Sequence, residues 1–379
     1  MTNANERQIK TTNGYFDVVG EIIVDAKTFT LGQPGKNNQN WIQNIFNPKI
    51  EADNGKSMYM RFSSGYDAVR GKTIYARSKS ETNLEVAFGD RNNENIISLV
   101  DEKSFIRVGI SKELVKDEAT GKEYKQWVYK NFLDTFDVVA FLQQVMPLAS
   151  KQKVRITGAV KFSTYNGEVQ RNYDIQNIYL LNGNEDEGKE MQPKLEFTQN
   201  VLLTKGCVVD ELDKENGVAT VNALVMIKEK KEFKTVPVKL LMKPQDEKQK
   251  ETYKKLIPMV FEVPEDKVRK IALDCIFEVG YVAGNVNEND LPQEAKELLD
   301  MGLYTMEEVM KMYAVRERVD NLLIKRPKIK IVDGKPNVEM NDTEYLPSDL
   351  EGKGAEVIEE EVVAGSGSID SLLDDLNNL

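Results

Sequence analysis

A chain of 379 residues, 40% of them hydrophobic, can bury a sizeable core, and no apolar run approaches the ~18 residues of a membrane span. It contains no histidine, which removes Ser-His and Cys-His catalysis, most zinc sites and the usual near-neutral general base. The net charge of −11 divides unevenly: residues 1–180 hold 24 Lys and Arg against 21 Asp and Glu, residues 181–354 hold 27 against 34, and residues 355–379 hold none against seven, giving +3, −7 and −7. Such asymmetry points to a part that binds polyanions followed by an acidic tail. The polar start Met1-Thr2-Asn3-Ala4-Asn5 is no signal peptide, so a cytoplasmic protein is expected. Cys207 and Cys275 lie far apart in apolar surroundings and read as small buried hydrophobes. With no CxxC and no acidic motif spacing, no metal, no cofactor and no enzymatic activity are expected.

Residues 1–14 read as a flexible polar arm. Tyr15 to Val24 is a first strand, and Gly20 in its interior suggests a bulge or bend. Gly32-Gln33-Pro34-Gly35-Lys36 does not complete a phosphate loop, because Thr30 and Asn37 stand where that motif needs Gly and Ser or Thr. It reads as a loop before an apolar segment that starts at Trp41. The stretch from Lys56 to Leu181 is the organising one. In Ser57–Phe62, alternation points Met58, Met60 and Phe62 one way and Tyr59 and Arg61 the other. Thr73–Arg77 repeats this, with Tyr75 and Arg77 outward, and a third strand turns Lys125, Trp127 and Tyr129 to one side. Rings and cations on one surface suit base stacking and phosphate neutralisation.

Leu84–Val100 and Ser104–Ile110 also read as strands, and Asp117–Lys122 as a hairpin turn. Asp134 or Thr135 can cap a helix that ends at Pro147. Lys153–Tyr165 and Glu168–Leu181 form two strands around Asn166-Gly167, a strong hairpin signal. Early strands, a helix, then a closing hairpin is the order of an OB-fold barrel.

The Val154-Arg155-Ile156-Thr157-Gly158 strand, the Asn166-Gly167 turn and the Tyr173–Ile178 strand resemble the last hairpin of single-stranded-DNA-binding proteins. The final Ile369-Asp370-Ser371-Leu372-Leu373-Asp374-Asp375-Leu376 resembles that family's acidic, apolar-ended tail. The large build is more like the replication proteins of bacteriophages. It departs from the compact bacterial pattern in its long 51–134 segment, and from zinc-containing phage relatives in lacking a His/Cys cluster. The resemblance implies sequence-tolerant binding of single-stranded DNA during replication or recombination, and a tail that recruits partner proteins through Ile369, Asp370, Leu372, Leu373, Asp374, Asp375 and Leu376. The candidate nucleic-acid contacts are Trp41, Tyr59, Arg61, Tyr75, Arg77, Lys125, Trp127, Tyr129, Arg155, Lys161, Tyr165 and Arg171. The alternative is a protein-interaction scaffold without nucleic-acid binding, which the acidic charge and leucine-bearing tail fit equally well.

The expected fold is mainly β with a small α part. An OB-fold-like barrel over 15–184 leads through a linker at 185–194 to a second β-rich unit over 195–290, for which a second OB-like barrel is one reading that no hairpin signal supports. A small helical module over 291–330, a disordered linker over 331–368 and the interaction tail at 369–379 complete the chain.

Overall fold

The computed structural model describes residues 10–36, 38–52, 56–165, 168–183, 191–209, 218–229, 232–283, 291, 293–301, 305–306, 309, 316–332, 334–343 and 345–350. Most of the arm, the Asn166-Gly167 turn, most of the 185–194 linker and the 369–379 tail lie outside them. The fold is mainly β with few helices and contains a closed five-stranded barrel.

The amino-terminal unit begins with strands β1 (Gly14–Ile23), β2 (Phe29–Pro34), β3 (Trp41–Phe46), β4 (Lys49–Glu51), β5 (Ser57–Tyr59) and β6 (Phe62–Asp67). A small insertion follows, formed by β7 (Thr73–Arg77), β8 (Asn83–Ala87) and helix α1 (Glu94–Ile97). The long hairpin of β9 (Ile106–Lys116) and β10 (Glu123–Phe132) leads to helix α2 (Thr135–Val145) and a second hairpin, β11 (Lys151–Tyr165) and β12 (Glu168–Leu180). Asp134 caps α2 by accepting from Phe136 N at 2.9 Å, satisfying one of the orphan donors of its first turn. Buried Val138, Val139 and Leu142 fix the helix to the core.

The second unit comprises β13 (Lys194–Leu203), β14 (Ala219–Glu229), β15 (Glu232–Met242), helix α3 (Glu247–Leu256), β16 (Arg269–Ala283), helix α4 (Gln293–Asp300) and β17 (Arg316–Pro327). Its pairings run β13-β14-β15-β17-β16 and return from β16 to β13, so the ladder closes on itself. β15 and β17 pair in parallel, and the other pairs are antiparallel. This is the OB-fold arrangement, with α3 after the third strand. In the first unit α2 likewise precedes a hairpin whose second strand, β12, pairs in parallel with β9. There the ladder runs β10-β9-β12-β11-β1, with β4 and β5 branching from β1.

Strand β1 joins the two units. It pairs with β13 over Gly14–Val19 and with β4 over Glu21–Ile22, while its ladder to β11 stays in register throughout. Gly20 is thus not a bulge. It sits where the partner changes, and a Cβ there would lie 2.5 Å from Glu51 O. Phe16, Val18, Ile156 and Ile178 of the first unit share one apolar core with Phe197, Val221, Leu240 and Phe277 of the second.

Three expectations need correction. Residues 84–100 are not one strand: β8 ends at Ala87, and α1 follows with Asn93 capping it. Within the 291–330 module, residues 316–327 are strand β17, which the ring needs to close. The described residues of 331–350 are structured rather than a disordered linker. Strands β18 (Ile329–Val332) and β19 (Lys335–Val338) form a ribbon, β20 (Met340–Asp342) pairs with β16, and Leu350 is buried against Leu202, Met226 and Val268. This segment is anchored at single points rather than along a face, so it shows no hydrophobic period.

Candidate nucleic-acid interface

The hairpin β9–β10 extends past the core, and its distal half is largely exposed. Asp117 builds its turn by accepting from Ala119 N and Thr120 N at 2.9 and 2.7 Å, with Gly121 at φ +70°. The register then opposes Lys116 to Glu123, Leu114 to Lys125 and Lys112 to Trp127. Cross-strand partners share a face, so Lys112, Lys116, Lys125 and Trp127 stand together, with Tyr129 two residues on. Lys112 Nζ lies 5.1 Å from the Trp127 ring centre, and the Arg107 guanidinium lies 4.9 Å from that of Tyr129. Both rings meet the buried Tyr179 edge-on, with centroids at 5.1 and 6.1 Å. Gly109 makes this packing possible: a Cβ there would come within 2.8 Å of the Trp127 ring and 3.1 Å of Tyr179. Trp127 and Tyr129 are thereby held half-buried, packed with Met191 against buried Val19, Tyr179 and Leu181.

The other candidates are dispersed. Trp41 is on β3 in the separate β2-β3-β6 sheet, where its ring packs over Gly65, and Tyr75 and Arg77 are on the two-stranded β7–β8 sheet. Tyr59 is on β5, with Arg61 just beyond it. Tyr59 and Tyr75 are 63% and 74% exposed, while Met58, Met60, Phe62 and Ile74 are buried, as alternation requires. Arg61 is exposed, and Arg77 lies 3.6 Å from Glu81. The three ring-bearing strands therefore do not share one sheet.

Arg155 is not a surface cation. It is 7% exposed and clasps Asp17 through two bonds of 2.9 and 3.1 Å, with Lys194 on the same carboxylate. Arg171 is also turned inward: it pairs with Asp320 and lies 5.8 Å over Phe277, bracing the β11–β12 hairpin against the second barrel. Beside it Tyr173 meets Phe16 and Phe277 edge-on, and burial pushes its phenol up to about 12. Lys161 is exposed and paired with Asp174. Tyr165 ends β11, and its side chain lies outside the described residues.

Sequence reading missed Arg107, Lys112, Lys116 and Tyr179. A signal existed for the lysines, because counting back from the Asp117–Lys122 turn sets Lys112 opposite Trp127. Tyr179 had none, since its approach depends on β9 pairing with a strand some 70 residues away in sequence.

Among the described residues no group of three or more His, Cys, Asp or Glu is placed to hold a metal ion. Cys207 donates to Phe261 O at 3.2 Å, and burial pushes its thiol up to about 11. Cys275 is fully buried and also pushed up, so neither thiol is primed as a nucleophile. No helix among the described residues is long and apolar enough to cross a membrane.

No protein-family model matches the chain, and no curated protein matches it. Among solved structures, the wild-type single-stranded DNA binding protein from Thermus aquaticus is similar at 9% identity and a TM-score of 0.29, over 71% of this chain and 87% of that one. A deletion mutant of the same protein is similar at the same identity and TM-score, over 71% and 89%.

Proposed function

We propose that this chain binds single-stranded DNA without sequence preference through the outward face of the β9–β10 hairpin. The observation that carries this reading is Trp127, held half-buried by Gly109 and Tyr179 and flanked on its own face by Lys112 and Lys125. A ring fixed on one side offers its remaining surface to a base at little entropic cost, and each such stack contributes ~1–3 kcal/mol. Lysines beside it neutralise phosphate, which adds a salt-dependent term of slope ~−0.7 per contact on a single strand. Stacking and phosphate contact read no base edge, so the binding is sequence-tolerant.

On this reading the protein coats single strands during replication or recombination, as bacteriophage proteins of this kind do, and is not an enzyme. Residues 369–379, with leucines and aspartates at helical spacing, recruit a partner protein through its groove. Deleting 369–379 should leave DNA binding intact or stronger and abolish recruitment; recruitment by the truncated protein contradicts that part.

The decisive experiment is a fluorescence titration of a Trp41→Phe variant, in which Trp127 is the sole tryptophan. Oligo-dT should quench its emission at low salt, and high salt should reverse the effect. Running the titration with RNA in parallel measures the preference between the two. A flat titration sinks the reading and leaves the protein-interaction scaffold.

A further inference from the structure

Trp41 opens β3 in the β2-β3-β6 sheet, apart from the β9–β10 hairpin. Three backbone bonds fix the strand at that end: Trp41 N donates to Asn38 O at 3.0 Å, Gly35 N to Trp41 O at 2.7 Å and Ala68 N to Asn40 O at 2.7 Å. The indole lies on two glycines. A Cβ at Gly65 would come within 2.8 Å of its Cε2 and Nε1, and one at Gly35 within 3.3 Å of its Cδ1. Bedded in this way Trp41 is still 38% exposed, and its indole N–H has no partner among the described residues. Register sets Gln33 beside Gln43 and Gln43 beside Gly65, so these share the Trp41 face. Neither glutamine amide has a partner among the described residues. The opposite face is turned to α2, where Asn44 Nδ2 donates to Phe136 O at 2.8 Å. Lys36 and Arg70, on the two loops that flank the ring, are exposed, and neither is held in a salt bridge among the described residues. Asp67, opposite Trp41, is engaged by its own turn: Arg70 N and Val69 N each donate to its Oδ1 at 2.9 Å and hold its carboxyl below the usual range.

We infer that this face is a second contact for single-stranded DNA, with a base stacked on Trp41, the free glutamine amides beside it, and neighbouring phosphates met by Lys36 and Arg70. The inference rests on the single-strand reading above and adds to it a site that needs no surface shared with the hairpin. Trp41 is the more exposed of the chain's two tryptophans. A ring already bedded on backbone loses little freedom when a base covers it, and the stack uses the π-face that every base has. The charge selects the ligand. A neutral sugar could use the ring and the amides, but it would leave Lys36 and Arg70 without a counterpart, whereas an anionic strand uses all of them.

The test uses the full chain with Trp127→Phe, which leaves Trp41 as the sole tryptophan, and oligo-dT of ~30 nucleotides, longer than the ~4–16 that one barrel occupies. Trp41 emission should fall at low salt and recover at high salt. Lys36→Gln with Arg70→Gln should weaken binding on the order of tenfold and lower the salt slope by ~1.4, two phosphates at ~0.7 each. Both positions are exposed, and an unchanged melting temperature shows that the variant folds. A flat Trp41 signal, beside quenching of Trp127 in the Trp41→Phe protein, overturns the inference and leaves the hairpin reading standing. If neither tryptophan responds, both fall. Quenching of Trp41 with affinity and slope unchanged in the double variant means that the ring senses binding elsewhere, and that too overturns it. Quenching by maltoheptaose but not by oligo-dT assigns the face to a neutral sugar, with the same consequence.

Discussion

The two β units share a plan and differ in what covers them. In the second, the outer side of β14 and β15 is occupied by the chain itself. Met226, Leu224 and Phe233 pack with Tyr345 and Leu350, Thr12 N donates to Met226 O at 2.9 Å, and Thr235 Oγ1 donates to Leu350 O at 2.9 Å. The second and third strands of an OB barrel are where oligonucleotides commonly lie, and here that place is filled. In the first unit the β9–β10 hairpin runs beyond the core and leaves Lys116 and Lys125 facing solvent beside the half-buried Trp127 and Tyr129. Two copies of one plan thus serve different ends: one closes and stabilises, the other stays open and presents rings.

The sharpest way to break the comparison is through the core the units share. Phe277 stacks on Phe197 at 4.4 Å and meets Tyr173 of the first unit's hairpin at 5.9 Å. Phe277→Ala should cost ~3–5 kcal/mol in urea unfolding, with one transition before and after; two separated transitions would mean that the units fold independently. Arg155→Ala leaves Asp17 with Lys194 as its remaining cation in a largely buried site, and the loss of two charge-assisted bonds should cost ~2–3 kcal/mol. Affinity for oligo-dT should stay unchanged, and a loss of affinity in the folded variant would return Arg155 to the ligand surface.

Tyr173 probes the same junction by pH. Burial raises its phenol from 10.0 to about 12, so the folded state holds the proton more tightly than the unfolded one. Its contribution, about 2–3 kcal/mol at 1.36 per unit, is fully present below pH 10 and is lost as pH rises towards 12. Tyr173→Phe should flatten that alkaline limb in melting experiments, and an unaltered limb would place the titration elsewhere. On the open side, Trp127→Ala should weaken oligo-dT binding by ~1–3 kcal/mol without unfolding the protein. A drop in melting temperature at constant affinity would make Trp127 a packing residue. The smallest effect expected is from Lys125→Gln, which should reduce the salt slope by ~0.7 in a titration across salt concentrations.

What the sequence determined by itself was local. Alternation set Met58, Met60 and Phe62 inward and Tyr59 outward, Asp134 announced α2, and the Asp117–Lys122 turn fixed the register that places lysines beside Trp127. Each of these follows from side-chain period or backbone hydrogen bonding within a few residues. Tertiary structure decided which rings meet. It separated Trp41, Tyr75 and Trp127 onto three sheets, drew Arg155 and Arg171 into ion pairs with Asp17 and Asp320, and set Met340–Asp342, Tyr345 and Leu350 against the second barrel. Those outcomes depend on contacts between residues distant in sequence, and a two-residue period specifies which face a side chain takes but not which strand will lie beside it.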